Sequence, residues 1–262
     1  MSKEDESPKV CDLHTHTFHS DGELCPAELA QRARLSGYAY LGITDHADQS
    51  NLAAVVRAAV EGAWPLSQAY KDFVVVPGCE LTHVPPSQIP AMIRQARDLG
   101  ARVVVVHGES PVEPVEPGTN RAAIDGGCDI LAHPGFITDE EAALAAGKGV
   151  WLELSARGGH SLANGHVARA ALKAGAQLMV NSDAHAPGDI LTPGFQLKTA
   201  VGAGLDPAKA AEILGAAFGL AGRLAGVAVT HVDGSWSRFG ENPGDDGFLK
   251  PPFVSFKRFW ER

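Results

Sequence analysis

His14 and His16 stand two residues apart directly behind the apolar run Val10-Cys11-Asp12-Leu13, and Asp183 and His185 repeat that spacing behind Leu178-Met179-Val180-Asn181-Ser182. In an extended strand, positions i and i+2 face the same way, so each pair can aim two donors into one site. Other imidazoles and carboxylates end further short apolar runs: Asp45-His46 after residues 40–44, Glu80 after residues 73–77, His107 after residues 103–106 and His133 after residues 130–132. A lone histidine at a strand end is more often structural than functional. Two spaced pairs, with Glu80, His107 and His133 at further strand ends, reverse those odds. Donors of this kind gathered at one end of parallel strands suit a metal cluster. The mixture of imidazole and carboxylate favours zinc, manganese or iron over magnesium or calcium, and the chemistry implied is metal-assisted hydrolysis.

The elements that must position these donors alternate strand, loop and helix. Residues 26–33 read as a helix with Pro26 at its first position, stopped by Gly37. Asn51 reads as the cap of a helix through Ala63, and residues 89–99 as a helix stopped at Gly100. A short helix is expected over residues 119–124, and Thr138-Asp139-Glu140-Glu141 has the form of a capping box. Residues 166–174 and 206–226 complete the expected helices. The seven intervening β-branched runs imply parallel βαβ units. An open sheet usually collects its ligands at one switch point, whereas here nearly every strand end carries one, so an α/β barrel with outer helices fits better.

At 262 residues and 45% hydrophobic, the chain is long enough for one such barrel as a single domain. The formal net charge of -9 argues against a surface built to hold nucleic acid phosphates. It does not argue against a small anion held by metals in a pocket. Cys11, Cys25, Cys79 and Cys128 are scattered, without a Cys-x-x-Cys pair, and read as reduced thiols rather than a disulfide framework. The polar start Met1-Ser2-Lys3-Glu4-Asp5-Glu6-Ser7 lacks the apolar stretch of a secretory signal, and no run approaches the length of a membrane span. A cytoplasmic protein is expected, with homo-oligomerisation left open. From Val232 onward the composition changes, so a barrel over residues 1–231 and a tail over residues 232–262 are expected. The tail carries Phe248, Phe253, Phe256, Phe259 and Trp260 among Lys250, Lys257 and Arg258. Burial of each large aromatic would contribute about 1.5–3 kcal/mol, so it is expected to pack on the barrel or a partner subunit.

The run His14-Thr15-His16-Thr17-Phe18-His19-Ser20-Asp21-Gly22, followed by Thr44-Asp45-His46, Gly78-Cys79-Glu80, His107, His133-Pro134 and Asp183-Ala184-His185, resembles the PHP (polymerase and histidinol phosphatase) family. The resemblance spans about residues 10–230, in the expected order. It implies a distorted (β/α)7 barrel of seven parallel strands and hydrolysis of phosphate esters at a cluster of two or three divalent metals. Within the family the chain most resembles stand-alone, histidinol-phosphatase-like phosphoesterases. Carried over by residue, His14, His16, Glu80 and Asp183 would hold one metal, and Glu80, as a bridge, would share a second with His107 and His133. His46, His185 and Asp21 would hold a third, with His19 as the rival to Asp21. His83, His160, His166 and His231 read as surface, supporting or substrate-contacting residues.

Four residues beside the ligands are candidates for work on the substrate or for support of the ligands. Arg157 could clamp a phosphate oxygen through its planar guanidinium, with a surface salt bridge as the equally weighted alternative. His160 and Asn164 share that loop, and Asp45 stands ready to orient an imidazole. Six imidazoles and three carboxylates (Asp21, Glu80 and Asp183) would leave roughly three divalent ions with a surplus charge near +3. That surplus matches a dianionic phosphate monoester, attacked in line by water ionised on the metals. A small phosphorylated substrate is therefore the expected partner, and nucleic acid is not. A nuclease or phosphodiesterase is the competing enzyme reading, and a non-catalytic metal-binding interaction module is the weaker third.

Overall fold

The structure is a computed structural model and describes residues 8–70, 72–230 and 236–238. Strands β1 (Val10–Asp12), β2 (Tyr38–Ile43), β3 (His46–Ala47), β4 (Val74–Leu81), β5 (Val103–His107), β6 (Ile130–Ala132), β7 (Trp151–Ser155) and β8 (Leu178–Asn181) are all parallel to their partners. Their order is β1-β2-β4-β5-β6-β7-β8, with the two-residue β3 paired to the far end of β4. The result is the expected nearly closed barrel of seven parallel strands with helices outside. Strands β9 (Val227–Thr230) and β10 (Trp236–Arg238) form a separate antiparallel pair. The rest of the expected tail, including Phe248 through Trp260, lies outside the described residues, as does His231.

Helices α1 (Pro26–Leu35), α2 (Leu52–Ala69), α3 (Ile89–Asp98), α4 (Thr119–Gly126), α5 (Asp139–Lys148), α6 (Asn164–Ala174), α7 (Pro193–Gly202) and α8 (Pro207–Ala225) follow from local signals. The capping box at α5 forms: Thr138 Oγ1 accepts from the Glu141 amide, and Glu141 reaches back to the Thr138 amide. At α8, Asp206 accepts from the amides of Ala208 and Lys209, and Pro207 occupies the first turn. Two expectations need correction. Helix α2 continues through Pro65 to Ala69 instead of ending at Ala63, and Asn51 does not cap it by its side chain. The Asn51 amide instead accepts from the Asp48 N–H and donates to the His46 carbonyl, bracing the β3 turn. Helix α7 was hidden by its Pro193-Gly194 start, although Thr192 caps it.

Hydrophobic packing divides into an outer layer and a barrel lumen. The lumen gathers Cys11, Leu13, Val76, Val103, Val105, Ile130, Ala132, Trp151 and Met179 against Ala217, Phe218, Leu220 and Ala221 of α8. Helix α8 therefore packs at the end where strands begin and leaves the opposite rim, where strands end, for polar groups. The barrel closes imperfectly between β1 and β8, and side chains bridge the seam. Gln196, which is buried, donates from Nε2 to the carbonyls of Cys11 and Val180 at 2.8 and 3.0 Å. Asn181 Oδ1 accepts from the Leu13 amide, and Asp12 Oδ1 accepts from the amides of His14 and Ser182. Backbone pairing resumes beyond the strands, where His16 N–H donates to the Ala184 carbonyl and Asp183 N–H to that of His14. This late pairing aligns the His14/His16 and Asp183/His185 pairs.

Candidate metal centre

Every strand-end donor expected from the sequence reaches one rim of the barrel. Four groups of side chains there can each hold a metal ion, their donor atoms lying within 4.8 Å of one another: His14, His16 and Asp183; His14, Glu80 and His133; His16, Asp21, His46 and His185; and His107, His133 and His160. The nine expected ligands are all among them. The division differs from the expected one, because His16 joins the Asp21 group and His160 joins His107 and His133. Asp21 rather than His19 enters the centre: its Oδ1 lies 3.4 Å from His46 Nε2 and 3.2 Å from His185 Nε2. His19 is exposed and its ring packs on Phe18.

The local backbone explains how Asp21 arrives there. Gly22 N–H donates to the Thr17 carbonyl, and a Cβ on Gly22 would stand 2.6 Å from the His16 carbonyl, so the turn demands glycine. Asp45, expected to orient an imidazole, instead holds this loop. Its carboxylate accepts from the Thr17 amide and hydroxyl and from the Ser20 hydroxyl, each at 2.7 Å. The correction has a geometric reason, since Asp45 precedes His46 in an extended segment and the two side chains point to opposite sides.

Supporting bonds turn the imidazoles with Nε2 toward the centre. His14 Nδ1 donates to Glu153 Oε2 at 2.8 Å and His46 Nδ1 lies 2.6 Å from Glu80 Oε2, while His185 Nδ1 lies between the Asp183 carbonyl at 2.9 Å and Arg157 Nη1 at 2.7 Å. A proton committed at Nδ1 leaves the Nε2 lone pair free to ligate. His46 Nε2 and His185 Nε2 are 3.3 Å apart. With Asp21 Oδ1 they make a nearly equilateral triangle. Donors about 2.0–2.1 Å from a tetrahedral ion are separated by roughly 3.3 Å, so the triangle fits one face of such a site. Deeper in, His14 Nε2, both ring nitrogens of His16, Glu80 Oε1 and His133 Nδ1 are buried without a hydrogen-bond partner. Each such orphan costs about 1–3 kcal/mol, and for the Nε2 and carboxylate atoms a metal would supply the missing partner. His133 and Asp183 also carry positive φ values of 26° and 55°, a strained backbone concentrated on two of the donors.

Electrostatics reflect this crowding. Burial disfavours the Glu80 carboxylate, but His14 and His46 outweigh burial and hold it well below the usual carboxylate range. Asp183 is pushed up to about 8 by burial, opposed by His14 and reinforced by Glu80 and Glu153. Burial lowers His14, yet Glu153, Glu80 and Asp183 together raise it well above an ordinary imidazole. His16 is held well below the usual value by burial and by neighbouring His46. The metal-free site thus keeps protons that a divalent ion would replace.

Around the mouth, Arg157, Asp21, Glu113, His83 and His160 line a cavity of about 380 Å³, within the size range of small-molecule sites. Arg157 Nη1 lies 3.1 Å from the Asp183 carbonyl and 2.7 Å from His185 Nδ1, placing the guanidinium beside the centre rather than in a surface salt bridge. Asn164 is structural: it exchanges two hydrogen bonds with the Ser155 backbone. His166 is also turned away, with Nε2 donating to the Ile137 carbonyl. Sequence reasoning missed Glu153 as the partner of His14 and missed Glu113 altogether. Glu153 lies in β7 among Leu152 and Leu154, and a charged residue in a fully buried strand was the available signal.

No protein-family model matches the chain. "Ribonuclease P protein component 3" of Methanosarcina barkeri is 31% identical over 130 residues, 49% of this chain and 47% of that protein. Among solved structures, a chain of archaeal ribonuclease P with mature tRNA superposes with TM-score 0.62 at 16% identity, over 81% of this chain and 90% of that one. Histidinol phosphate phosphatase from Lactococcus lactis, complexed with zinc, L-histidinol and phosphate, superposes with TM-score 0.54 at 15% identity, over 76% and 95% of the two chains. These structural likenesses establish the barrel fold. "Uncharacterized protein MJ1295" of Methanocaldococcus jannaschii is 47% identical over 195 residues, 74% of this chain and 89% of that protein. At that identity and coverage, the chain belongs to the same family as MJ1295.

Proposed function

We propose that this chain hydrolyses phosphate monoesters of small molecules at a site of two or three divalent metals held by His14, His16, Asp21, His46, Glu80, His107, His133, Asp183 and His185. The carrying observation is the gathering of nine donors at one rim of the barrel, where Asp21, His46, His107, Asp183 and His185 line a cavity whose wall also holds Arg157. Divalent ions at this site would supply Lewis acidity toward phosphoryl oxygens and ionise water near neutral pH. The chain's own residues do the rest. Arg157 offers its guanidinium fork to a non-bridging phosphate oxygen. Glu153 and Thr82 fix the orientation of the His14 and His46 imidazoles, so this part of the centre is pre-organised before substrate arrives. Asp45 holds the Asp21 loop in place.

The zinc- and phosphate-bearing barrel of histidinol phosphate phosphatase supports the reading by analogy of fold. The test is a screen of phosphorylated metabolites and p-nitrophenyl phosphate against metal-replete protein, with bis-p-nitrophenyl phosphate in parallel. Turnover of monoesters that a chelator abolishes and zinc, manganese or iron restores is expected. Arg157→Lys should lower kcat/KM, because one ammonium cannot replace a planar fork. Absence of any monoester turnover at full metal loading would sink the reading.

The 31% identity to a ribonuclease P component favours a second reading, in which the same centre acts on or beside RNA. It brings nucleic acid back as a partner to test, against the net charge of -9. Cleavage of RNA with no monoester turnover, or tRNA binding that persists at about 0.15 M salt, would favour it.

A further inference from the structure

Glu113 lies on the loop between β5 and α4, and three imidazoles from three different loops or strand ends converge on its carboxylate. Oε2 is 3.1 Å from His107 Nε2 and 3.4 Å from His83 Nε2, and Oε1 is 3.3 Å from His160 Nε2. His107 and His160 share the arrangement of the expected ligands. His107 Nδ1 faces the Gly108 carbonyl at 3.1 Å, and His160 Nδ1 meets Ser110 Oγ at 2.7 Å. The Gly108 carbonyl can only accept, so His107 Nδ1 carries the proton there. Its Nε2 also faces an acceptor, the Glu113 carboxylate. Two acceptors on the two nitrogens of one imidazole require a cation at Nε2, either a second proton or a metal. His133, buried and stacked on His160 with ring centroids 4.0 Å apart, brings a further imidazole to the same place. Each separation, from Oε2 to His107 and from Oε1 to His160, is close to the roughly 3.3 Å between neighbouring donors of one ion, so the carboxylate faces both imidazoles with one oxygen each.

We propose that Glu113 and His160 join His107 and His133 as protein ligands of one metal ion, so that binding of this ion fastens the β5–α4 loop over the cavity. The proposal rests on the metal-dependent reading above and adds two ligands to it. Neither was expected as a ligand from the sequence. Glu113 is 36% exposed at its side chain, so its substitution does not disturb the core.

The experiment is a titration of the full-length metal-free protein with Zn²⁺, followed by calorimetry and by elemental analysis after desalting. It is run on the wild type, Glu113→Gln, His160→Asn and, as a control from the same loop, Glu116→Gln. Hydrogen exchange of residues 108–118 is read with and without Zn²⁺. The wild type and Glu116→Gln should bind the same number of ions and protect the loop. Glu113→Gln and His160→Asn should each weaken one class of ion by at least about 10–100-fold, leave the others unchanged and lose the metal-dependent loop protection. Full stoichiometry and unchanged affinity in both variants would overturn the proposal while leaving the metal-dependent function standing. A wild type that binds no ion would overturn both. Should His160→Asn fail to fold, Glu113→Gln alone decides.

Discussion

Glu153 Oε2 lies 2.8 Å from His14 Nδ1, and neither side chain is exposed to solvent. The same oxygen accepts from Asn181 Nδ2, and the other oxygen accepts from the His133 amide. One buried carboxylate therefore ties a proposed ligand on the β1 end to the β8 seam and to the strained backbone of His133. Glu153→Gln should keep the fold, lower metal affinity by about 10–100-fold and lower turnover only through lost metal. Metal titration of the variant checks this, and turnover should return at saturating metal.

Glu80, fully buried, touches four imidazoles of the centre, its oxygens lying within 4 Å of His14, His16, His46 and His133, and Asp183 touches five, His14, His16, His133, His160 and His185. Glu80→Ala should lose more metal than Asp21→Ala, by more than the ~10–100-fold typical of a supporting residue, and leave no measurable turnover. Asp21 is largely exposed, and its loss should empty only the outer group. Elemental analysis of the two variants, purified side by side, separates the outcomes. Equal metal content in both would contradict the central role given to Glu80.

Proton release should accompany metal loading. Asp183 has its folded value raised to about 8 and His14 well above its ordinary value, so both hold protons at pH 7 in the metal-free protein. A ligating carboxylate and imidazole must give these up. The sign is then fixed: apparent metal affinity should strengthen as pH rises from about 6 toward 8 and weaken as pH falls. For Asp183 alone, the folded state binds its proton more tightly than an unfolded carboxylate does. Its contribution to metal-free stability is therefore present below the unfolded value near 3.9 and lost as pH rises toward 8. Calorimetry in buffers of different ionisation enthalpy counts the protons, and metal binding without release would refute the assignment.

Closure of the barrel should depend on Gln196. Its two donations to the Cys11 and Val180 carbonyls span the seam where β1 and β8 lack a regular ladder. Gln196→Leu keeps the volume close but leaves buried carbonyls unpaired, at a cost of about 1–3 kcal/mol. Urea unfolding at fixed metal concentration measures it. A midpoint equal to the wild type would mean that backbone pairing beyond the strands carries the closure alone.

Residues such as His107 and Glu80 could be recognised from the chain alone because a strand's apolar run and its polar end are contiguous, and the i, i+2 rule of His14/His16 is local geometry. The same locality revealed the Thr138 capping box and the alternation that implies a parallel barrel. Asp21 over His19 was only half legible, since the choice rests on how tightly Gly22 lets the loop turn against the His16 carbonyl. Asp45, adjacent in sequence to the proposed ligand His46, faces away from it in space and holds a loop instead. Glu153, Glu113 and Gln196 act across 139, 6 to 47 and 16 to 185 residues of chain respectively. Ligand types and strand ends are properties of short segments, written in residue order. Which carboxylate supports which imidazole, and which side chain closes the seam, depends on distant strands brought side by side, and only the folded barrel decides that.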